Sequence, residues 1–277
     1  MARFLLGRTA RPRGARGVAG QACIKAVVRK KGFAAPRRLQ GDRPRGQAQR
    51  LLRRAGRWLP GTGAERPQSR GEEIANAASH ATALVAALGV GAWLAASGHR
   101  PSGAGLAGVC VFIATMVWLY LASTLYHALP QGRAKRVFLR LDHGAVFLFI
   151  AGSYTAFASQ HPDDRWGPAV LTLVWTVAVT GMALKALGRL ASVWLSTASY
   201  LAMGWLVLLA AMPILARTSP AGVAWLVAGG GLYTLGVAFF ILDGRIRYGH
   251  AVWHGFVAAG TACHAWAVLG QGQTALA

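Results

Sequence analysis

Two histidines, His250 and His254, stand four residues apart, and Ser123 and His127 repeat that spacing earlier in the chain. On a helix, positions i and i+4 share a face, so each pair points both side chains at one neighbour. Two imidazoles in that arrangement, with a third from an adjacent helix, are a common way to hold Zn2+ through neutral ligands while a fourth position stays open to water. A three-histidine zinc of this kind lowers the pKa of its water towards neutrality and polarises a carbonyl, which is hydrolytic chemistry. Asp142, within reach, would orient a ligand or act as the base, and Ser123 would hydrogen-bond the same water. For each histidine alone, a hydrogen bond to a backbone carbonyl in a helix contact is the simpler reading. The convergence of Ser123, His127, Asp142, His250 and His254 favours metal.

Such convergence has to be supplied by helices. Stretches without Asp, Glu, Lys or Arg run 74–99, 101–132, 143–162, 166–184, 190–216, 218–242 and 248–277. Each is long enough for the roughly 20 residues that cross a bilayer core, the third most comfortably if its helix starts near Val137. Residues of the set AVILMFWYC make up 54% of the chain and only 14% are charged, against about 25% in a soluble domain. Buried helices of soluble proteins average about 10–14 residues, shorter than these runs. The fold predicted is all-α, an integral membrane protein with seven transmembrane helices. Loops after the second, fourth and sixth spans carry Arg133, Lys135, Arg136, Arg140, Lys185, Arg189, Arg245 and Arg247, against Arg100, Arg165 and Arg217 on the other side. The positive-inside rule then places the N-terminus in the cytoplasm and the C-terminus outside.

With that topology the polar residues share one depth, about 5–10 Å below the cytoplasmic surface by helical rise. Ser123 and His127 end the second span; Asp142 and His143 begin the third, and His250 and His254 the seventh. His80, in the first span, divides evenly between supporting the ligands and packing helices. His264 lies about 21 Å along the seventh helix from His250 and reads as structural. His143 points about 100° away from Asp142, and His99 and His161 fall in far-side loops, so none of the three is assigned to the site. Gly229, Gly230, Gly231 and Gly236 suggest close helix packing rather than a phosphate loop. Trp253 and Trp266 read as interface anchors at the two ends of the seventh helix.

The net charge of +22 is concentrated at the start of the chain, where residues 1–70 hold 19 Lys+Arg and 2 acids. This stretch is rich in Arg, Gly and Pro and is expected to be a mostly disordered extension, with residues 71–277 forming the transmembrane domain. Leu51, Leu52, Ala55, Trp58 and Leu59 share a helical face opposite Arg50, Arg53, Arg54 and Arg57, which suits anionic lipid headgroups. A transit peptide would be Ser-rich, and only Ser69 occurs here; an upstream-extended start is an equal reading. No aromatic-interleaved basic module or helix-turn-helix accompanies the charge, so no nucleic-acid partner is expected. Cys23, Cys110 and Cys263 contain no CxxC pair and imply neither a disulfide framework nor a thiolate site.

Several motifs in order carry a resemblance: Glu72-Glu73-Ile74-Ala75-Asn76 leading to His80, Ser123-Thr124-Leu125-Tyr126-His127, and Leu141-Asp142-His143 followed by Ala151-Gly152-Ser153-Tyr154-Thr155. Gly204-Trp205, Gly231-Leu232-Tyr233-Thr234-Leu235-Gly236, and His250 to His254 follow. Together they resemble the haemolysin III branch of the progestin and adipoQ receptor family over residues 71–270, and the basic leader departs from its pattern. The resemblance implies seven helices, an inside N-terminus, and zinc on His127, His250 and His254, with Ser123 and Asp142 around its water. It also divides on function, between ceramidase-type amide hydrolysis by adiponectin receptors and a cytolysin name for the bacterial branch. A secreted pore former needs amphipathic, refoldable segments, whereas these are apolar throughout. The favoured expectation is a resident of the bacterial inner membrane that hydrolyses amide or ester bonds of membrane lipids. Its rivals are a non-enzymatic lipid-state sensor with structural zinc, and a membrane-lytic protein.

Overall fold

A computed structural model of the chain describes residues 66–97, 103–160, 167–210 and 218–270. The basic extension up to residue 65, its amphipathic stretch, His99 and His161 lie outside the described residues. Those described all belong to one of two units into which the chain divides, Leu59–Ala277.

Seven α-helices make up the described structure: α1 (Arg70–Ala96), α2 (Gly103–Ala128), α3 (Arg133–Ala158), α4 (Gly167–Ala186), α5 (Val193–Ala210), α6 (Pro220–Leu242) and α7 (Gly249–Gly270). Five of them, α1, α2, α3, α4 and α6, are long and apolar enough to cross a membrane. In α7 the histidines at 250, 254 and 264, together with four glycines, dilute the apolar residues. Ile74, Val85, Leu88, Leu173, Val179, Leu235 and Trp266 are exposed on the outside, while Glu72, Asn76, His80, Ser123, Asp142 and His254 are buried. That distribution is inverted from a water-soluble bundle and suits lipid as the surrounding solvent.

Local chemistry sets the helix starts. Ser69 caps α1 in a capping box, its hydroxyl accepting from the Glu72 amide while the Glu72 carboxylate accepts from the Ser69 amide. Ser219 caps α6, with Pro220 in the first turn. α3 starts at Arg133, earlier than the uncharged run alone suggests, because Arg133, Arg136 and Arg140 lie on its exposed side and extend their heads outward.

Consecutive helices pack side by side, most extensively α1 with α2, α2 with α3, α3 with α4 and α6 with α7. α7 also returns against α1 and α3, which closes the bundle. Glycines permit the tightest approaches. A Cβ on Gly181 of α4 would meet the Phe147 ring at 2.7 Å, and one on Gly236 of α6 would meet Phe256 and Trp253 at 2.6 and 2.7 Å. The core between α1, α2, α3 and α7 is built from Phe112, Met116, Leu119, Tyr120, Phe149 and Val257. One end of this core is polar.

Candidate metal centre

At that end α2 finishes while α1, α3 and α7 begin, so residues remote in sequence meet. One ring nitrogen from each of His127, His250 and His254 falls within 4.8 Å of the others. Their ring centroids lie 5.0 Å (His127–His250), 5.2 Å (His127–His254) and 4.7 Å (His250–His254) apart. The i, i+4 relation on α7 supplies two of the rings, and the last turn of α2 supplies the third.

Each of these rings has an acceptor at Nδ1. His127 Nδ1 lies 2.8 Å from Glu73 Oε2, and the other oxygen of that carboxylate lies 3.0 Å from Lys135 Nζ. Lys135 is itself buried and donates to the Tyr126 carbonyl at 2.9 Å. His250 Nδ1 lies 2.8 Å from Asp243 Oδ2. His254 Nδ1 donates to the Asn76 carbonyl at 3.1 Å, with Ser79 Oγ 2.9 Å away. An imidazole whose Nδ1–H is taken by an acceptor presents Nε2 as a bare lone pair, the form a metal binds. His127 Nε2 is buried with no hydrogen-bond partner. An orphaned buried acceptor, facing two more imidazoles of the same tautomer, fits a metal ion.

A second carboxylate fixes the neighbouring backbone. Glu72 is buried, accepts 2.8 and 2.5 Å hydrogen bonds from the Arg66 guanidinium, and receives the Tyr248 amide on Oε1 at 3.1 Å. Tyr248 has φ 60°, a left-handed conformation uncommon for a residue with a side chain. Glu72 thus ties the first turn of α1 to the strained turn two residues before His250.

A cavity of about 190 Å³ opens from the histidines into the bundle. His80, Asp142, His250 and His254 line its polar end, apolar side chains such as Phe149 and Val257 its length, and His264 the far end. Ser123 is fully buried, and its hydroxyl has no hydrogen-bond partner among the described residues.

Residues 68–265 match the Haemolysin-III related family. The chain is 35% identical over 199 residues to "Hemolysin-3 homolog" of Bacillus subtilis (strain 168), covering 72% of this chain and 93% of the relative. The chain belongs to the haemolysin III family. It is likewise 35% identical to "Hemolysin-3" of Bacillus cereus, over 72% of this chain and 90% of that one. "Monocyte to macrophage differentiation factor" of Homo sapiens is 28% identical, with 71% and 83% covered, which places the haemolysin III family in the wider progestin and adipoQ receptor group. No solved structure matches. Family and apolar helices together make the chain an integral membrane protein, and its bacterial relatives point to the plasma membrane.

In this haemolysin III protein the three histidines of the sequence reading come together as a group that can hold a metal ion. Asp142 stands outside that group, in the cavity wall, and Ser123 is buried and is not among the cavity-lining residues. His143, read as turned away, lines the cavity too and meets the Phe240 ring edge-on. Trp253 is not an interface anchor: it packs on Phe240 and over Gly236 inside the bundle, while Trp266 is exposed beside Trp225. His264 packs against Tyr233 and over Gly229 and lines the cavity. Sequence reasoning assigned no role to Glu73 or Asp243, the two orienting carboxylates. One signal was available. They are two of only six acids beyond residue 70, each at the edge of a charge-free run.

Proposed function

We propose that the protein is a zinc-dependent hydrolase of acyl amide or acyl ester bonds in membrane lipids, working at the cytoplasmic face of a seven-span bundle with its N-terminus inside and its C-terminus outside. The observation that carries this reading is that Nδ1 of His127, His250 and His254 is in each case engaged by an acceptor, beside the polar end of an otherwise apolar cavity. Zn2+ suits three neutral imidazoles with no thiolate, and when bound it supplies Lewis acidity towards a carbonyl and towards water.

The chain's own residues do the rest. The cavity accepts an acyl chain and sets its carbonyl at the polar end. Glu73 and Asp243 keep the two carboxylate-bound rings in one tautomer and raise their basicity. Asp142, in the wall beside the histidines, takes the proton from the attacking water and returns it to the leaving group, and the Ser123 hydroxyl hydrogen-bonds the same water. The apolar lining excludes bulk water and soluble peptides. Eight basic residues, in the first two turns of α3, the last turn of α4 and the α4–α5 and α6–α7 connections, lie at the end that carries the site and support a cytoplasmic placement. The basic extension would add attraction for anionic headgroups.

Turnover of a ceramide and of an acyl-ester lipid in zinc-loaded proteoliposomes tests the proposal. Wild type should hydrolyse at least one of them, Asp142→Asn should abolish turnover while keeping metal, and Ser123→Ala should slow it less. If the loaded wild type turns over neither, and metal removal lowers only its melting temperature, the zinc is structural and the protein is a receptor-like sensor. The relatives' haemolysin names suggest lysis, but helices apolar throughout are made for residence in a bilayer rather than for insertion from water.

A further inference from the structure

His80 is 3% exposed and lines the cavity, yet both of its ring nitrogens are buried without a hydrogen-bond partner. Its orientation is fixed. The ring stacks on His254 with centroids 3.5 Å apart and planes at 13°, and Tyr120 meets it edge-on at 5.1 Å. A neutral imidazole always carries one N–H donor and one lone pair, and an unmet donor in an apolar bundle is costly. Stacking supplies no hydrogen bond, and His80 lies outside the three-nitrogen group, so neither the described residues nor a metal on that group satisfies it. What remains is an occupant of the cavity. The cavity extends from His254 to His264, ten residues along α7 and about 15 Å by helical rise, a length suited to an extended acyl chain.

We infer that His80 donates a hydrogen bond to the carbonyl oxygen of an acyl lipid whose chain lies in this cavity, which makes it a substrate-binding residue beside the histidine triad. This rests on the reading of the cavity as an acyl-chain site, and does not require that the lipid be cleaved. The donor meets the oxygen from the His254 side of the cavity, so carbonyl and chain are fixed together.

The test compares 2-heptadecanone, which has a carbonyl but no scissile bond, with heptadecane, which has the chain alone. Binding to the full chain in nanodiscs is read by tryptophan fluorescence, since Trp205 and Trp253 line the cavity. His80→Phe keeps a ring to stack on His254 and removes both nitrogens. Metal content and melting temperature should stay at the wild-type level, affinity for the ketone should fall about tenfold, and affinity for the alkane should hold. His80→Gln, which restores an N–H, should recover part of the loss. Equal losses for the two ligands would make His80 a shape-filling residue, and unchanged ketone affinity or release of metal would equally overturn the assignment. Should His80→Phe not fold, His80→Leu withdraws the donor and predicts the same ketone-selective loss. Because no turnover is read, a failed hydrolysis assay leaves this inference standing, and a failed ketone test leaves the hydrolase reading standing.

Discussion

Glu73 Oε2 lies 2.8 Å from His127 Nδ1, across the contact between the first turn of α1 and the last turn of α2. Asp243 repeats the relation with His250 at 2.8 Å. Carboxylates in this position fix ring orientation and strengthen the opposite nitrogen as a ligand. Glu73→Gln and Asp243→Asn should each weaken metal affinity by about 10- to 100-fold without abolishing it. Titration against a competing chelator reads the effect, and affinity equal to wild type in both variants would remove these carboxylates from the site.

Glu72 acts on the same region through the backbone. It completes the α1 capping box, binds Arg66 and receives the Tyr248 amide. Glu72→Ala should lower the melting temperature by several degrees, since a cap, an ion pair and the anchor of a left-handed turn are lost together. Arg66→Ala should cost less, because its guanidinium is partly exposed and the Tyr248 bond survives. Thermal unfolding in detergent checks the order of the two effects.

Orientation is testable by fusion. A reporter after Ala277 should read as periplasmic, and one replacing the chain before Glu72 as cytoplasmic. A cytoplasmic reading at both ends would contradict a seven-span path.

The helices and the shared end of the site were legible because each depends on a local property. Charge-free runs reflect the thickness of a bilayer, and i, i+4 spacing on helices that start or stop at one face forces Ser123, His127, Asp142, His250 and His254 to one depth. The partners of those residues were less legible. His127 meets Glu73 across 54 positions, an encounter set by how α1 packs on α2. Asp243 finds His250 only because the turn at Tyr248 reverses the chain. Trp253 misled because an aromatic residue near a helix end looks the same whether it meets headgroups or the glycine of a neighbour, here Gly236. His143 misled because a cavity subtends more of α3 than one helical face.

Elemental analysis of protein purified in mild detergent reads whether His127, His250 and His254 hold one metal ion. Wild type should hold about one zinc per chain, a His250→Ala/His254→Ala double variant that retains one of three ligands near zero, and Asp142→Asn most of the zinc. Metal near zero in zinc-supplied wild type, or zinc unchanged in the double variant, would contradict metal binding there and return the three histidines to helix packing.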